Sequence, residues 1–209
     1  MKMKALKTIA WIVGILVVIG VILNLTVIET WKVPVDDSAM GASIEPMLRS
    51  GDVLILTRSK GAGRGDLLRC PDPQAPGRYV VARVQGLGGE EILIEDGLVS
   101  LDGKRNPSPR SCTNVTLDDP TTHAKVELVC AVEEVSMRNF EVLRPSQKSE
   151  RTKTRVDMGR VFLVSDNRQM HVDSRDYGVI DPELCQHVLL RLWGTSGFSD
   201  SSRRFTVVW

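Results

Sequence analysis

The segment "EILIEDGLVSLDG", residues 91–103, carries the clearest local information about the fold. Two short runs that alternate apolar and polar residues flank the pair Asp96-Gly97. Alternation with a period of two is typical of a strand with one buried face, and Asp-Gly readily adopts the positive φ angles of a two-residue hairpin turn. The segment therefore predicts an antiparallel β-hairpin.

Short β-rich runs broken by turn residues continue on both sides of this hairpin. Aromatic residues make up only 5% of the chain, which contains 17 glycines and 10 prolines, a composition that suits a turn-rich β protein. Polar, turn-rich stretches mark the two ends of residues 102–152, which we interpret as an inserted β lobe. Residues 31–101 and 153–209 then form an antiparallel β core. The predicted strands cover residues 53–56, 79–84, 126–135, 160–164, 188–193 and 205–209.

An uncharged apolar run, "TIAWIVGILVVIGVILNLTVI", extends from Thr8 to Ile28. At about 1.5 Å per helical residue it is long enough to cross a hydrocarbon layer of roughly 30 Å. No small-residue cleavage site follows it, which favours a retained anchor over a removed leader. The lysines at positions 2, 4 and 7 favour a cytoplasmic N-terminus. We therefore predict that residues 1–30 form a cytoplasmic N-terminus and one transmembrane helix, with the remainder on the extracytoplasmic side of the inner membrane.

The charge balance and the cysteines limit the possible partners. The 27 basic and 26 acidic residues give a net charge of +1, which argues against a nucleic-acid partner. An extracytoplasmic location would be oxidising, so the cysteines could form disulfides in three full pairings. We favour a bond between Cys112 and Cys130, because both lie in one segment. Cys185 and His187 lack a companion pair of metal ligands, so no metal and no other cofactor is predicted.

A serine precedes a proline in "GASIEPMLRSGDVLIL", residues 41–56. Pro46 fixes its own φ angle and disfavours a helix through this loop, so we expect Ser43 on a rigid extended turn before a strand. Loop serines usually cap turns or face water. A second cluster, "SDNRQMHVDSRDYG" at 165–178, would by itself be read as a surface charge network.

Taken in order, these segments resemble the bacterial type I signal peptidases, which are membrane-anchored serine endopeptidases with a Ser/Lys dyad. The resemblance extends from the apolar run to near the end of the chain. It implies a largely antiparallel β core with an inserted β lobe. The segments that carry it are "SIEPML" with "SGDVLIL", "RGDLLRCPDP", "YVVARVQGLGGE", and "SDNRQMHVDSRDYG" with a later "WG".

The resemblance also implies roles for individual residues. Ser43 falls on the position of the nucleophile. Gly41 stands where some members carry a second serine that stabilises the oxyanion, so the backbone N–H of Ser43 would take that task here. The residues that would support the active-site loop are Asp166, Arg168, Asp173 and Arg175.

Three positions depart from the family pattern. Ala82 occupies the position of the general-base lysine, His171 replaces a serine beside that lysine, and Ser165 replaces a glycine. A serine hydroxyl is a weak nucleophile unless a base removes its proton. Imidazole titrates near neutral pH, so we predict that His171 is the substitute base and that Asp173 orients it.

Alternatives remain for these histidines and for the protein as a whole. His171 could instead fill volume or hydrogen-bond the loop, whereas His123 and His187 are expected to be structural or exposed. The first functional hypothesis is a signal-peptidase-like serine endopeptidase that removes signal peptides from exported precursors at the lipid bilayer. The second is a catalytically inactive relative that binds extended peptides as a membrane scaffold, and Ala82 is the argument for it.

Overall fold

The computed structural model describes residues 9, 11–20, 28–57 and 61–208. Residues 11–20 are helical (α1), and their large apolar side chains are exposed. Among the described residues, no helix combines the length and the apolar character needed to cross a membrane. The predicted span from Thr8 to Ile28 lies partly outside this set, at residues 8, 10 and 21–27. Its last residue, Ile28, is already the first residue of a β-strand.

The rest of the chain is built mainly from strands, and all pairings between named strands are antiparallel. The prediction of a mainly β, antiparallel fold is therefore confirmed. Two short α-helices follow α1: α2 (Ser38–Ser43) and α3 (Ser174–Tyr177). The strands are β1 (Ile28–Lys32), β2 (Val53–Thr57), β3 (Leu67–Pro71), β4 (Tyr79–Leu87), β5 (Glu91–Glu95), β6 (Leu98–Leu101), β7 (Lys104–Arg105), β8 (Arg110–Ser111), β9 (Val115–Asp118), β10 (Lys125–Val135), β11 (Arg138–Pro145), β12 (Thr152–Arg155), β13 (Val161–Val164), β14 (Gln186–Trp193) and β15 (Thr206–Val207).

A seven-stranded sheet forms the core, in the order β1-β2-β14-β3-β4-β13, with β15 paired to β14. Apolar side chains cover both of its faces around β3 and β4, which is why these two strands read as nearly continuous apolar runs. On one face, Met40 and Ile44 from the segment around α2 pack with Val81 of β4. On the other face, Leu68 of β3 packs with Ala82 of β4.

The predicted hairpin is present as β5 and β6, and its turn residues Asp96 and Gly97 have φ angles of 52° and 70°. It belongs to a four-stranded sheet in the order β12-β5-β6-β7, which we call the hairpin sheet. Ile92 and Ile94 pack with Phe162 of β13. The hairpin sheet is thereby joined to the core through one shared apolar cluster.

A third sheet contains β11, β10 and β8 in that order, with β9 also paired to β10; we call it the lobe sheet. Its strands lie within residues 110–145, inside the predicted insertion at 102–152. At the two ends of that insertion, β7 and β12 pair with the hairpin sheet instead. The lobe sheet is bound to the core at Leu143, which forms a parallel bridge with Asn167.

Two disulfides crosslink the chain, one within the lobe sheet and one within the core sheet. Cys112 is bonded to Cys130, which confirms the pairing favoured from the sequence. Cys70 is bonded to Cys185 and so links β3 to the residue just before β14. Because Cys185 is used in this bond, it has no free thiolate to offer a metal beside His187.

Replacing Cys112 and Cys130 together with serine is expected to lower the free energy of unfolding by about 3 kcal/mol. The bond spans 18 residues, and its loss releases the unfolded chain from a closed loop. Denaturant unfolding under oxidising conditions measures the difference. It should vanish when parent and variant are both unfolded in strong reductant. Equal stability under oxidising conditions would contradict the prediction.

Candidate active site

Ser43 is the last residue of α2 and is fully buried. The helix begins after Asp37, whose side chain accepts a hydrogen bond of 3.0 Å from the Met40 N–H. The expectation of an extended turn at Ser43 is wrong. Pro46 lies three residues beyond the end of the helix, so its missing N–H does not interrupt a helical hydrogen bond. The Glu45–Pro46 peptide bond is cis.

The loop at 165–178 is hydrogen-bonded directly to the nucleophile segment. The Asn167 backbone N–H donates to the Ser43 carbonyl at 3.1 Å, and its side-chain amide donates to the Ala42 carbonyl at 3.0 Å. The Ser43 hydroxyl itself donates to the Met40 carbonyl at 2.8 Å. The two clusters that lie far apart in the sequence therefore meet at Ser43.

Asp166 is held by a buried arginine of the core sheet. Arg83 of β4 donates two hydrogen bonds of 2.9 Å to the Asp166 carboxylate and a third of 2.9 Å to the Gly65 carbonyl. The guanidinium also lies 4.0 Å from the centre of the Phe140 ring in β11. Arg83 therefore fixes the start of the loop against both the core and the lobe sheet.

Arg168 is held by the lobe sheet. Its guanidinium, which is fully buried, donates to Glu133 of β10 at 2.8 Å, and Glu133 is also 3.2 Å from Arg144. Burial lowers the pKa of Arg168, and the Glu133 carboxylate opposes this effect. Backbone bonds reinforce the contact, since Leu143 donates to the Asp166 carbonyl and Arg168 donates to the Leu143 carbonyl. The lobe sheet thus supports the loop that contacts Ser43.

Asp173 serves the loop rather than the histidine. Arg175 binds its two carboxylate oxygens at 2.9 and 2.7 Å, and the Ser165 N–H adds a third bond of 2.8 Å. Burial by itself would raise the pKa of Asp173, but the hydrogen bonds and the charge of Arg175 outweigh it and hold this pKa below its usual range. Asp173 also caps α3.

His171 contacts a different carboxylate from the one predicted. Its Nδ1 lies 2.9 Å from Asp176 and 4.0 Å from Asp173. Asp176 is placed there by the capping box of α3, in which its side chain also accepts from the Asp173 N–H at 2.9 Å. No hydrogen bond connects His171 with Ser43 in the described residues, so the role of His171 as a base stays a prediction.

Ala82 is buried in the apolar cluster that it shares with Leu68 and Leu163, and Val172 of the loop packs against this cluster. Its neighbour Val81 lies on the opposite face of β4 and packs with Met40 and Ile44. The methyl group of Ala82 therefore lies on the face of β4 that is covered by Val172, the residue after His171.

A Cβ atom at position 41 would collide with the hydroxyl of Ser50, so packing against Ser50 favours glycine at this position. The second serine found in some members of the resembling family has no space at this position unless Ser50 moves. The backbone N–H of Ser43 stays a predicted oxyanion donor; because Ser43 ends α2, this N–H points along the helix and the last turn would have to open for it to act.

Two groups of described side chains bring possible metal ligands together. One consists of Cys112, Cys130 and Glu141, but its cysteines are joined in a disulfide. The other consists of His171, Asp173 and Asp176, and its buried Asp173 is already bound by Arg175. Neither group therefore offers three free ligands.

The site thus consists of a serine at the end of a short helix, set on an antiparallel β core and joined to a loop of buried ion pairs. The chain belongs to the signal peptidase family, peptidase S26, whose family model matches residues 6–187. This match confirms the resemblance to type I signal peptidases. Members of the family are serine endopeptidases, and signal-peptide-bearing precursors are their substrates. A comparison with curated proteins finds no significant match.

Proposed function

We propose that this protein is an active, membrane-bound serine endopeptidase that removes signal peptides from exported precursors. The observation that carries the proposal is the contact of Asn167 with the carbonyls of Ala42 and Ser43, which joins the nucleophile segment to the loop of buried ion pairs. A nucleophile held by such a rigid loop meets the demand for accurate positioning in acyl transfer.

In the proposed reaction, the Ser43 oxygen attacks the carbonyl carbon of the scissile peptide bond. The hydroxyl first rotates away from the Met40 carbonyl, which accepts its hydrogen bond in the present structure. The proton passes to a base, and the backbone N–H of Ser43 stabilises the negative oxygen. The C–N bond then breaks, the base returns the proton to the leaving nitrogen, and the mature protein leaves as an amine while the signal peptide stays on Ser43 as an ester. Water then hydrolyses the ester.

His171 is the proposed base. Its Nδ1 faces Asp176, so a proton on Nδ1 would be held there and Nε2 would be left to accept the proton of Ser43. The carboxylate would also stabilise the imidazolium that forms. In this form of the proposal, Asp176 takes the orienting role that the sequence suggested for Asp173.

The proposed location is the extracytoplasmic face of the inner membrane. The apolar run at residues 8–28 and the lysines before it support a single anchor with a cytoplasmic N-terminus. Two disulfides among the described cysteines support an oxidising compartment. Anchoring would confine the enzyme to the surface where exported precursors emerge.

A specific observation favours the second candidate function, an inactive relative that binds extended peptides. Ala82 lies in an apolar cluster, and the described hydrogen bonds include none between Ser43 and a side-chain base. Such a protein would keep the peptide-binding surface and lose the chemistry.

The test is cleavage of a purified exported precursor by the full-length protein in detergent, with the new N-terminus of the product sequenced. We expect one cut, after a small residue at the end of the signal peptide. An intact precursor with the parent and a cut precursor with Ala82→Lys would instead support the inactive relative. If the Ala82→Lys protein does not cleave, denaturant unfolding determines whether it is folded.

A further inference from the structure

A cleft of about 540 Å³ lies beside the nucleophile segment, between the core sheet and the lobe sheet. Pro46 and Met47, which follow Ser43 in the chain, line one side of it, and Phe140 of the lobe sheet contributes to another. Phe140 is the ring that carries Arg83, the arginine bound to Asp166. The cleft therefore shares Phe140 with the ion-pair network that supports the candidate active site.

Three arginines line this cleft: Arg110 of β8, Arg191 of β14 and Arg203. Arg191 donates to the Met47 carbonyl at 2.7 Å, which ties its guanidinium to the nucleophile segment. Arg191 and Arg203 share one carboxylate, Asp52, at 3.6 and 2.8 Å. Arg49 and Glu45 interact with the same group, so three cations face two carboxylates and one positive charge is left.

Arg110 adds a second positive charge to the cleft. It is exposed, and within residues 28–57 and 61–208 no hydrogen bond or ion pair engages its side chain. Arg110 in β8 and Glu141 in β11 are the two cross-strand neighbours of Val132. Glu141 also lines the cleft, so its carboxylate would compete with a ligand carboxylate for the arginines. Burial and the charge of Arg203 lower the pKa of Arg191, as expected where cations exceed anions.

We propose that this cleft binds an aspartate or glutamate side chain of the substrate peptide close to the scissile bond. Guanidinium groups match carboxylates in geometry as well as charge. The apolar surfaces of Met47 and Val132 suit the rest of an extended peptide. Pro46 and Met47 line the cleft three and four residues after Ser43, which favours a substrate over a separate ligand. The inference deepens the proposed function and rests on it.

Binding is measured with full-length Ser43→Ala protein, so that cleavage does not interfere. Three labelled peptides span the cut site of one precursor and differ at a single position, which carries Asp, Asn or Lys. Further sets of three peptides place this substitution at each neighbouring position in turn. At one or two positions we expect the Asp peptide to bind about tenfold more tightly than the Asn peptide, with Lys the weakest. Arg110→Glu should abolish this order, and Glu141→Gln should strengthen it.

Arg151→Glu is the matched control, because Arg151 is also exposed but pairs with Glu95 of the hairpin sheet. It should leave the order of the three peptides unchanged. Equal affinities at every position would overturn the inference. So would an Arg110→Glu protein that loses binding to phosphatidylglycerol vesicles while keeping its preference for the Asp peptide, since the cleft would then serve lipid.

Cleavage of the same peptides by the parent protein separates the two proposals. If both hold, Asp at the selected position lowers KM with little change in kcat. Charge-selective binding without any cleavage would overturn the proposed function and support the cleft as a peptide site. Cleavage with the same KM for all three peptides would support the proposed function and overturn the inference.

Discussion

Replacing Ser43 with alanine is expected to lower kcat/KM for precursor cleavage by at least about a thousandfold. The substitution removes the oxygen that attacks the peptide bond and leaves the surrounding loop in place. The hydroxyl makes one hydrogen bond, to the Met40 carbonyl, so its loss should change the free energy of unfolding by only about 1 kcal/mol. Initial rates with a purified precursor and denaturant unfolding measure the two effects separately.

Ser38→Ala is the matched control for this variant, because Ser38 opens the same helix that Ser43 ends. It should cleave at nearly the parental rate. A Ser43→Ala protein that retains a tenth or more of the parental rate would show that another group is the nucleophile.

Replacing Glu133 with alanine is expected to lower the free energy of unfolding by about 3 to 5 kcal/mol. Glu133 and Arg168 are both buried, at 1% and 0% side-chain exposure, so the variant leaves a guanidinium without its carboxylate in the interior. Arg144 loses the same partner. Because Arg168 lies one residue from Asn167, the change should also loosen the contact with Ser43 and reduce cleavage. Chemical unfolding and hydrogen exchange of residues 165–176 measure both consequences.

Glu134→Ala provides the comparison, since this neighbouring side chain is exposed on the same strand. It should alter stability by less than about 0.5 kcal/mol. Equal stabilities of the two variants would mean that the buried pair does not hold the lobe sheet to the loop.

The strands were predictable where turn chemistry and burial agree. The Asp96-Gly97 turn and the alternation around it specify the hairpin, and the apolar runs of β4 and β13 are buried on both faces of the core sheet. Strand β1 was not predicted, and its first residue, Ile28, continues an apolar run that reads as a membrane span. Ile28 pairs with Thr57, which is distant in the sequence, and a local sequence pattern does not reveal such a pairing.

The local structure at Ser43 was not predictable from Pro46 alone. The helix α2 is only six residues long and includes Gly41, so it is stabilised by the Asp37 cap and by the burial of Met40 in the core. The cap could have been recognised, because an aspartate before a short segment that ends ahead of a proline is a known pattern of helix start and stop.

The partners of the loop residues required the folded arrangement. Arg83 meets Asp166 across 83 positions and Glu133 meets Arg168 across 35, so these pairs depend on sheet register. One sequence feature does indicate the first pair: Arg83 is the single charge in β4, which is otherwise mostly apolar, and a buried charge needs a partner. His171 contacts Asp176 and not Asp173 because of the capping box of α3. In this arrangement Asp173 caps the helix and binds Arg175, and Asp176 lies beside the imidazole.

The most direct test of the central claim is to trap the covalent intermediate. The full-length protein is mixed with a precursor, quenched in acid during turnover and digested, and the peptide containing Ser43 is examined by mass spectrometry. We predict that this peptide carries the signal peptide as an ester, and that the same digest of Ser43→Ala carries none. A cleaved precursor with an unmodified Ser43, or an ester on another residue, would contradict the account.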